Sequence, residues 1–195
     1  MAKRFALFLA LLLMAATGFA QVPSLGNVFV GYSLNHADVG WGTKGNINGW
    51  EISAEGKVAP FTTMVADLGA TYGTLQIPTS QLFGGTGNTP ADSRVVTYMF
   101  GPRVSFPIGR IRPFAHVLVG GAHLHQNTAQ YAAAYSYGET ALADAFGGGV
   151  DYRVLPHIGV RVQADDLQTR FHNNYPTKAG TRDNLRVSAG VVFHF

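Results

Sequence analysis

The chain has 195 residues and a formal net charge of +3; only 13% of its residues are charged, whereas 47% are hydrophobic. An average soluble domain carries about 25% charged residues, so the charge here is too sparse to cover a water-exposed surface comfortably. The small, unclustered net charge excludes a nucleic-acid footprint, and the lack of cysteine excludes disulfides, thiolate metal sites, a cysteine nucleophile and a lipid anchor on cysteine.

The N-terminus has the pattern of a secretory signal peptide. Lys3 and Arg4 form a basic start, an apolar run follows over residues 5–16, and the small residues Gly18 and Ala20 precede Gln21. The run is too short to span a bilayer comfortably and ends in a cleavage pattern. We therefore interpret residues 1–20 as a signal peptide and residues 21–195 as one mature domain.

The mature chain alternates apolar and polar residues along eight segments. In the second segment, for example, Trp50 and Ile52 alternate with Glu51 and Ser53. Such a period of two predicts β-strands with one apolar and one polar face. The predicted strands cover residues 27–35, 49–58, 61–73, 93–106, 113–125, 140–155, 157–171 and 184–195. Most match or exceed the 9–11 residues that cross a bilayer at a steep tilt.

Some positions in these strands fit less well. The fifth strand is apolar on both faces, and we assign His116 to the outer, apolar face. Asp144 and Asp166 also have outer parity, and we place both near a rim. Pro102 lies within the fourth strand, where its missing N–H predicts a bulge or a strand-edge position.

The connections between the predicted strands alternate in length. The first, third, fifth and seventh are long: HADVGWGTKGNING, TLQIPTSQLFGGTGNTPAD, QNTAQYAAAYSYGE and HNNYPTKAGTRD. The others are compact, as at Leu155-Pro156-His157. This alternation predicts a closed antiparallel up-and-down barrel with one elaborated rim and one tight rim, as in outer-membrane barrels.

Alternation alone does not tell which face meets water. A soluble barrel would turn its apolar face inward, whereas a membrane barrel turns it to lipid. The polar face is rich in Gly, Ser and Thr, which suits a narrow interior filled by side chains. Aromatic residues on the apolar face sit near strand ends, as interfacial girdles require: Trp50, Tyr72, Phe106, Phe114, Tyr152, Phe193 and Phe195. We therefore predict an all-β, closed eight-stranded transmembrane barrel.

The last strand, LRVSAGVVFHF, carries a family resemblance. With GWEISAEGKVAPFTTMVADLGATYG, FGPRVSF and IGVRVQADDLQTRF, it resembles the small eight-stranded outer-membrane barrels of Gram-negative bacteria, the OmpA/OmpX-like type. The resemblance covers essentially residues 25–195. It implies location in the cell outer membrane, contact with outer-membrane lipids, and recognition of the terminal Phe195 by the barrel-assembly machinery. It implies no single biochemical activity.

Charged residues of inward parity predict an ion-pair network inside the barrel, because buried charges must pair. They are Glu51, Glu55, Lys57, Asp67, Arg103, Asp151, Arg153, Arg161, Asp165 and Arg186. The favoured interpretation is a plug that fills the barrel, and the alternative is a gate that exchanges partners to admit water or small ions. If the turn at Leu155-Pro156-His157 is tight, Val154 faces Ile158 and Asp151 lies opposite Arg161. Arg161 could instead bond Glu55 across the lumen.

The seven histidines suggest no catalytic or metal site. His123 and His125 share a face and could chelate a metal with His36, but no third ligand has diagnostic spacing. No His-x-Ser pair occurs on one strand, as a deacylase of this size would need. We thus expect no enzyme, cofactor or metal. The favoured function is a structural or surface-interaction role through the long loops, with possible surface or envelope partners. The alternatives are a narrow gated channel and, third, a lipid-modifying enzyme.

Overall fold

A computed structural model describes residues 26–38, 44–78, 87–130, 133–170 and 182–195. The predicted signal peptide and the predicted mature N-terminus at Gln21 lie outside these residues. The described part contains no helix that is long and apolar enough to cross a membrane.

The described residues form eight strands in one closed barrel. The strands are β1 (Gly26–Asp38), β2 (Lys44–Ala59), β3 (Thr62–Pro78), β4 (Asn88–Ser105), β5 (Ile111–Gln130), β6 (Ala133–Leu155), β7 (Ile158–Thr169) and β8 (Arg182–His194). Each strand pairs antiparallel with its neighbours in the chain, and β1 also pairs with β8, which closes the sheet. The predicted eight-stranded up-and-down barrel is confirmed.

Three short connections define one end of the barrel, which we call the short-turn rim. They join β2 to β3, β4 to β5 and β6 to β7. Phe61 adopts a φ of 64° and Gly109 a φ of 62° in the first two of them. Positive φ is uncommon for an aromatic residue, and Phe61 stacks on Phe106 with ring centroids 5.6 Å apart. The opposite end, where the other connections lie, is the loop rim.

All strands except β7 extend further toward the loop rim than the sequence predicts, and β7 ends at Thr169 rather than at residue 171. β5 continues to Gln130 and β6 begins at Ala133, so most of the predicted long connection between them is paired strand. The prediction ended each strand where the apolar alternation stops. A ladder is held by main-chain hydrogen bonds, however, and can continue through polar residues beyond the apolar band.

The register between β6 and β7 places Asp151 opposite Arg161, as predicted. It shifts between Arg153 and Leu155, so that Leu155 rather than Val154 faces Ile158. The irregularity is thus confined to the last residues before the turn.

The prediction of a bulge or a strand-edge position at Pro102 is wrong. Pro102 lies within β4 and faces Met64 of β3. On the other side, the β4–β5 pairs stop after Phe100 and resume in the same register at Arg103. The proline therefore interrupts the pairing locally without shifting the register.

Inward and outward faces follow the predicted parity on most strands. Large apolar side chains cover the outside, among them Leu142 and Phe146, which are 69% and 67% exposed. Strand β5 is the exception: Phe114 and His116 point inward, and the outward assignment of both is wrong. Residues opposite one another in an antiparallel pair share a face. Because His116 lies opposite the inward Arg103, the register decides this face, and the apolar sequence on both sides of β5 could not.

Candidate functional site

Two groups of charged side chains fill the barrel interior. The group nearer the short-turn rim joins Glu55 and Asp151 to three guanidinium groups. Arg161 donates from Nε to Asp151 at 2.6 Å and from Nη2 to Glu55 at 2.7 Å. Arg112 donates to the same two carboxylates, at 2.6 Å to Asp151 and 3.1 Å to Glu55. Arg103 completes the group with a 3.3 Å bond to Glu55.

The second group lies nearer the middle of the barrel and has the opposite imbalance. A single guanidinium, that of Arg186, faces three carboxylates. It donates to Asp165 at 2.7 Å and to Asp67 at 2.9 Å, and it lies 3.6 Å from Glu51. Glu51 is also held by neutral donors, Gln163 at 2.6 Å and Ser188.

His116 connects the two groups. Its Nδ1 lies 3.1 Å from Arg103 Nη2, and its Nε2 lies 2.9 Å from Asp165. A guanidinium can only donate, so His116 Nδ1 is the acceptor. The Nε2–H group then donates its hydrogen bond to the carboxylate of Asp165. The ring is thus a neutral bridge whose two nitrogens are both engaged, and the residue is only 2% exposed.

Aromatic rings support the guanidinium groups. The ring of Phe114 lies 4.1 Å from Arg103 Cζ and 4.8 Å from Arg161 Cζ, and the ring of Phe29 lies 5.1 Å from Arg161 Cζ. Such contacts are favourable when desolvated, because the ring face is negative. The inward position of Phe114 therefore contributes to the charged interior.

Toward the loop rim an apolar cluster contributes to the filling. Most residues of this cluster lie closer to the loop rim than the ion pairs do. At Val65 and Leu118 the cluster also extends beside the ion pairs. Members of the cluster include Ile47, Leu75, Val95, Leu124, Ala141, Ala143 and Leu167. Buried polar side chains lie among them, and Gln126 donates to Ser93 at 3.2 Å and Asn184 to Thr169 at 3.3 Å. The described interior is therefore packed with ion pairs in one part and with mixed apolar and uncharged polar side chains in the other.

The structure places the ten predicted interior charges in two environments. Eight are buried in the two groups: Glu51, Glu55, Asp67, Arg103, Asp151, Arg161, Asp165 and Arg186. The predicted burial of Lys57 and Arg153 is wrong, because both are exposed. They lie two residues before the ends of β2 and β6, at the short-turn rim. The lumen opens to solvent there, and inward parity no longer implies burial.

Sequence reasoning missed two members of the charged interior. Arg112 lies one residue before the predicted start of the fifth strand, so the prediction gives it no face. For His116 the prediction gives the wrong face. The signal that could have found both is that Arg112 and His116 share one parity along β5, whereas the other parity carries Ile111, Val117 and Val119.

The remaining polar residues considered from sequence lie on the outside. His36 bonds Asn46 at 2.7 Å, and His123 bonds Thr140 at 2.7 Å. β1 pairs only with β2 and β8, so His36 is separated from the histidines of β5. Asp144 pairs with Arg170 at 3.0 Å, in the half of β6 that leads to the loop rim.

Comparisons with known proteins identify the class of fold. No protein-family model matches the sequence, and no curated protein matches it. The closed eight-stranded barrel, however, is the fold of the small bacterial outer-membrane barrels.

The chain is similar to three solved structures of that class. The attachment invasion locus protein Ail of Yersinia pestis matches with a TM-score of 0.61 at 14% identity, over 88% of this chain and 99% of Ail. Neisserial surface protein A matches with a TM-score of 0.58 at 12% identity, over 88% and 96%. The outer membrane protein OprG of Pseudomonas aeruginosa matches with a TM-score of 0.57 at 10% identity, over 88% and 96%.

Proposed function

We propose that this chain is a protein of the cell outer membrane whose barrel is a closed anchor and whose loop rim provides the interaction surface. The exposed apolar outer face supports the location, since a surface of this kind would be unfavourable in water. Leu34, Phe100, Val119 and Val162 are all more than half exposed and lie on four different strands. Outer-membrane lipids are the partners that such a surface fits.

The observation that carries the anchor role is the filled interior. Arg103 and Arg161 are each 1% exposed, and the apolar cluster occupies the part nearer the loop rim. A pore needs a continuous wet path, and closely packed, buried side chains across the lumen oppose one. This favours an anchor over the alternative of a narrow gated channel.

We also propose that the protein is not an enzyme. A general base must have a nitrogen or oxygen free to accept a proton from substrate. The one histidine inside the described barrel wall with a carboxylate partner is His116, and both of its ring nitrogens are already engaged. Recognition of Phe195 by the barrel-assembly machinery remains part of the proposal.

The names of two proteins with a similar fold support the surface role. Ail is named for attachment and invasion, and neisserial surface protein A for its surface location. By analogy, we propose that the loop rim of this chain faces the cell exterior and contacts other cells, host surfaces or envelope components.

Trypsin treatment of intact cells tests the orientation. In the sequence, Lys178 falls between Thr169 and Arg182, the loop-rim ends of β7 and β8, whereas Lys57 lies at the short-turn rim. We expect cleavage after Lys178 in intact cells, and cleavage after Lys57 only once the outer membrane has been permeabilised. Cleavage after Lys57 in intact cells would reverse the orientation, and recovery in a soluble fraction would refute the location.

Planar-bilayer recording separates the anchor from the channel. We expect no steady conductance from the folded protein. Reproducible single-channel steps that disappear when the protein is omitted would favour the gated channel.

A further inference from the structure

Basic side chains surround a depression at the short-turn rim, and two of them, Lys57 and Arg153, have no side-chain partner within the described chain. The depression has a volume of about 330 Å³ and is lined by residues that include Lys57, Arg112, Arg153 and His194. A small adjoining hollow shares Arg112, Arg153 and His194 and adds Arg110. The larger depression falls in the range of small-molecule sites, about 300–1,000 Å³.

The positive charge of this rim is not neutralised by the carboxylates near it. Glu55 and Asp151 are the acidic side chains of the ion-pair group beneath the depression, and three guanidinium groups share them. Within the described chain, Lys57, Arg110 and Arg153 form no side-chain ion pair or hydrogen bond.

Arg112 links the buried ion pairs to the open depression. Its side chain is 19% exposed, and it uses Nε and Nη2 to hold Asp151 and Glu55. Its Nη1 takes no part in those bonds. The carboxylates of Asp151 and Glu55 therefore hold the Arg112 guanidinium in place through Nε and Nη2. Its Nη1 group remains free of these bonds and is a preorganised donor.

We propose that the short-turn rim binds a phosphate group, held by Lys57, Arg112 and Arg153. Guanidinium and ammonium donors around one cavity match the several oxygens and the multiple negative charge of a phosphate. A single carboxylate would leave most of these cations unpaired. The phosphate could belong to a soluble phosphate ion or to the headgroup of a membrane phospholipid. The site goes beyond the proposed surface role, because it lies at the opposite end of the barrel from the loops.

Titration of the folded protein with inorganic phosphate tests the site. The protein is held in a maltoside detergent and HEPES buffer, so that no other phosphate is present, and binding is followed by calorimetry and by ³¹P line broadening. We expect saturable binding that weakens as NaCl is raised, because salt screens exposed charges. Sodium acetate at the same concentrations should give no saturable binding.

The variant that tests the residues is the double substitution Lys57→Gln, Arg153→Gln. Both side chains are exposed and unpartnered, so the barrel should fold normally. Phosphate should bind at least about tenfold more weakly, since two charge-assisted contacts are lost. The matched control is Arg170→Gln, which removes an exposed arginine near the loop rim and should change binding by less than about twofold.

Phosphatidylglycerol with six-carbon chains, added under the same conditions, distinguishes the two sources. Binding at least about tenfold tighter than phosphate, with competition between them, would assign a lipid headgroup. Equal affinities would assign a soluble phosphate. Absence of saturable binding by either probe, equal binding by the double variant, or equal binding of acetate would overturn the site. None of these outcomes depends on which rim faces the cell exterior.

Discussion

Arg161 is shared between two carboxylates that the sequence presents as alternatives. It bonds Asp151, its cross-strand partner, and also reaches Glu55 across the lumen. Asp151 in turn bonds Arg112, and Glu55 accepts from Thr63 at 3.0 Å. Each charge therefore has more than one partner, and the interior behaves as a network rather than as separate pairs.

Breaking the Asp151–Arg161 contact should destabilise the barrel strongly. Asp151→Asn and Arg161→Gln should each lower the free energy of unfolding by about 3–5 kcal/mol, because each strands a buried charge. The double variant should lose less than the sum of the two, by more than about 0.5 kcal/mol. Urea unfolding in lipid vesicles, followed by tryptophan fluorescence, measures these losses.

Arg170→Gln is the control for that cycle. Its guanidinium is 58% exposed and pairs with Asp144. An exposed pair of this kind contributes at most about 1 kcal/mol. Losses that add fully in the Asp151, Arg161 double variant would show that the two side chains are not coupled.

His116 should tolerate glutamine better than leucine. A glutamine amide offers one acceptor for Arg103 and one N–H donor for Asp165, whereas leucine offers neither. His116→Leu leaves a buried cation and a buried anion each short of one bond, at a cost of about 1–3 kcal/mol or more. The same unfolding measurement should place His116→Gln between the wild type and His116→Leu; the reverse order would refute the bridging role.

Strand β6 contains three successive glycines where it packs closely against its neighbours. A Cβ on Gly147 would collide with the carboxylate of Asp165 and with the carbonyl oxygen of Ala164. A Cβ on Gly149 would collide with the carbonyl oxygen of Val162 and lie 2.8 Å from Gln163 Cα. Glycines at such points let a strand curve and approach its neighbour, as barrel closure requires. The absence of a side chain here also leaves room for Asp165 within the ion pairs.

Substituting alanine in β6 should therefore impair the barrel, in contrast to a matched glycine in β2. Gly149→Ala meets backbone atoms that cannot move aside and should cost about 1–3 kcal/mol. Gly56→Ala meets no atom within 4 Å and should change stability by less than about 0.5 kcal/mol. Unfolding curves of the two variants make the comparison. Similar losses at both positions would contradict a packing role for Gly149.

The described residues form one closed sheet in which every strand has a paired neighbour on each side. All eight strand pairs are antiparallel, including the closing pair of β1 with β8. Closure satisfies the main-chain hydrogen bonds within the described sheet, which a lipid environment demands. The two ends differ, since short turns and unpartnered basic side chains mark one rim.

Closure predicts a heat-modifiable electrophoretic mobility. An unboiled sample in SDS should migrate faster than a boiled sample, because the closed barrel stays compact until heat opens it. Gel electrophoresis of the same refolded preparation, with and without boiling, checks this. Identical mobility under both conditions would count against a closed, detergent-resistant barrel.

The class of fold and the number of strands were readable from the sequence alone. Alternation along a strand is a local property, so Trp50 and Glu51 already assign the two faces of β2 without knowledge of its neighbours. Connection lengths then order the strands around the barrel. The Asp151–Arg161 register was also predictable, because a tight turn propagates it over a few residues.

Only the tertiary structure decided which residues share the interior. The face of β5 follows from its pairing with β4, which puts His116 opposite Arg103, and its own sequence is apolar on both sides. Lys57 and Arg153 are far apart in sequence, and closure of the barrel brings both to one rim. The parity of a residue along its strand tells whether its side chain faces the lumen, but not how far it lies from the rim. Depth along the lumen depends on register and closure, which are non-local, and therefore decides whether an inward charge is buried or open to solvent.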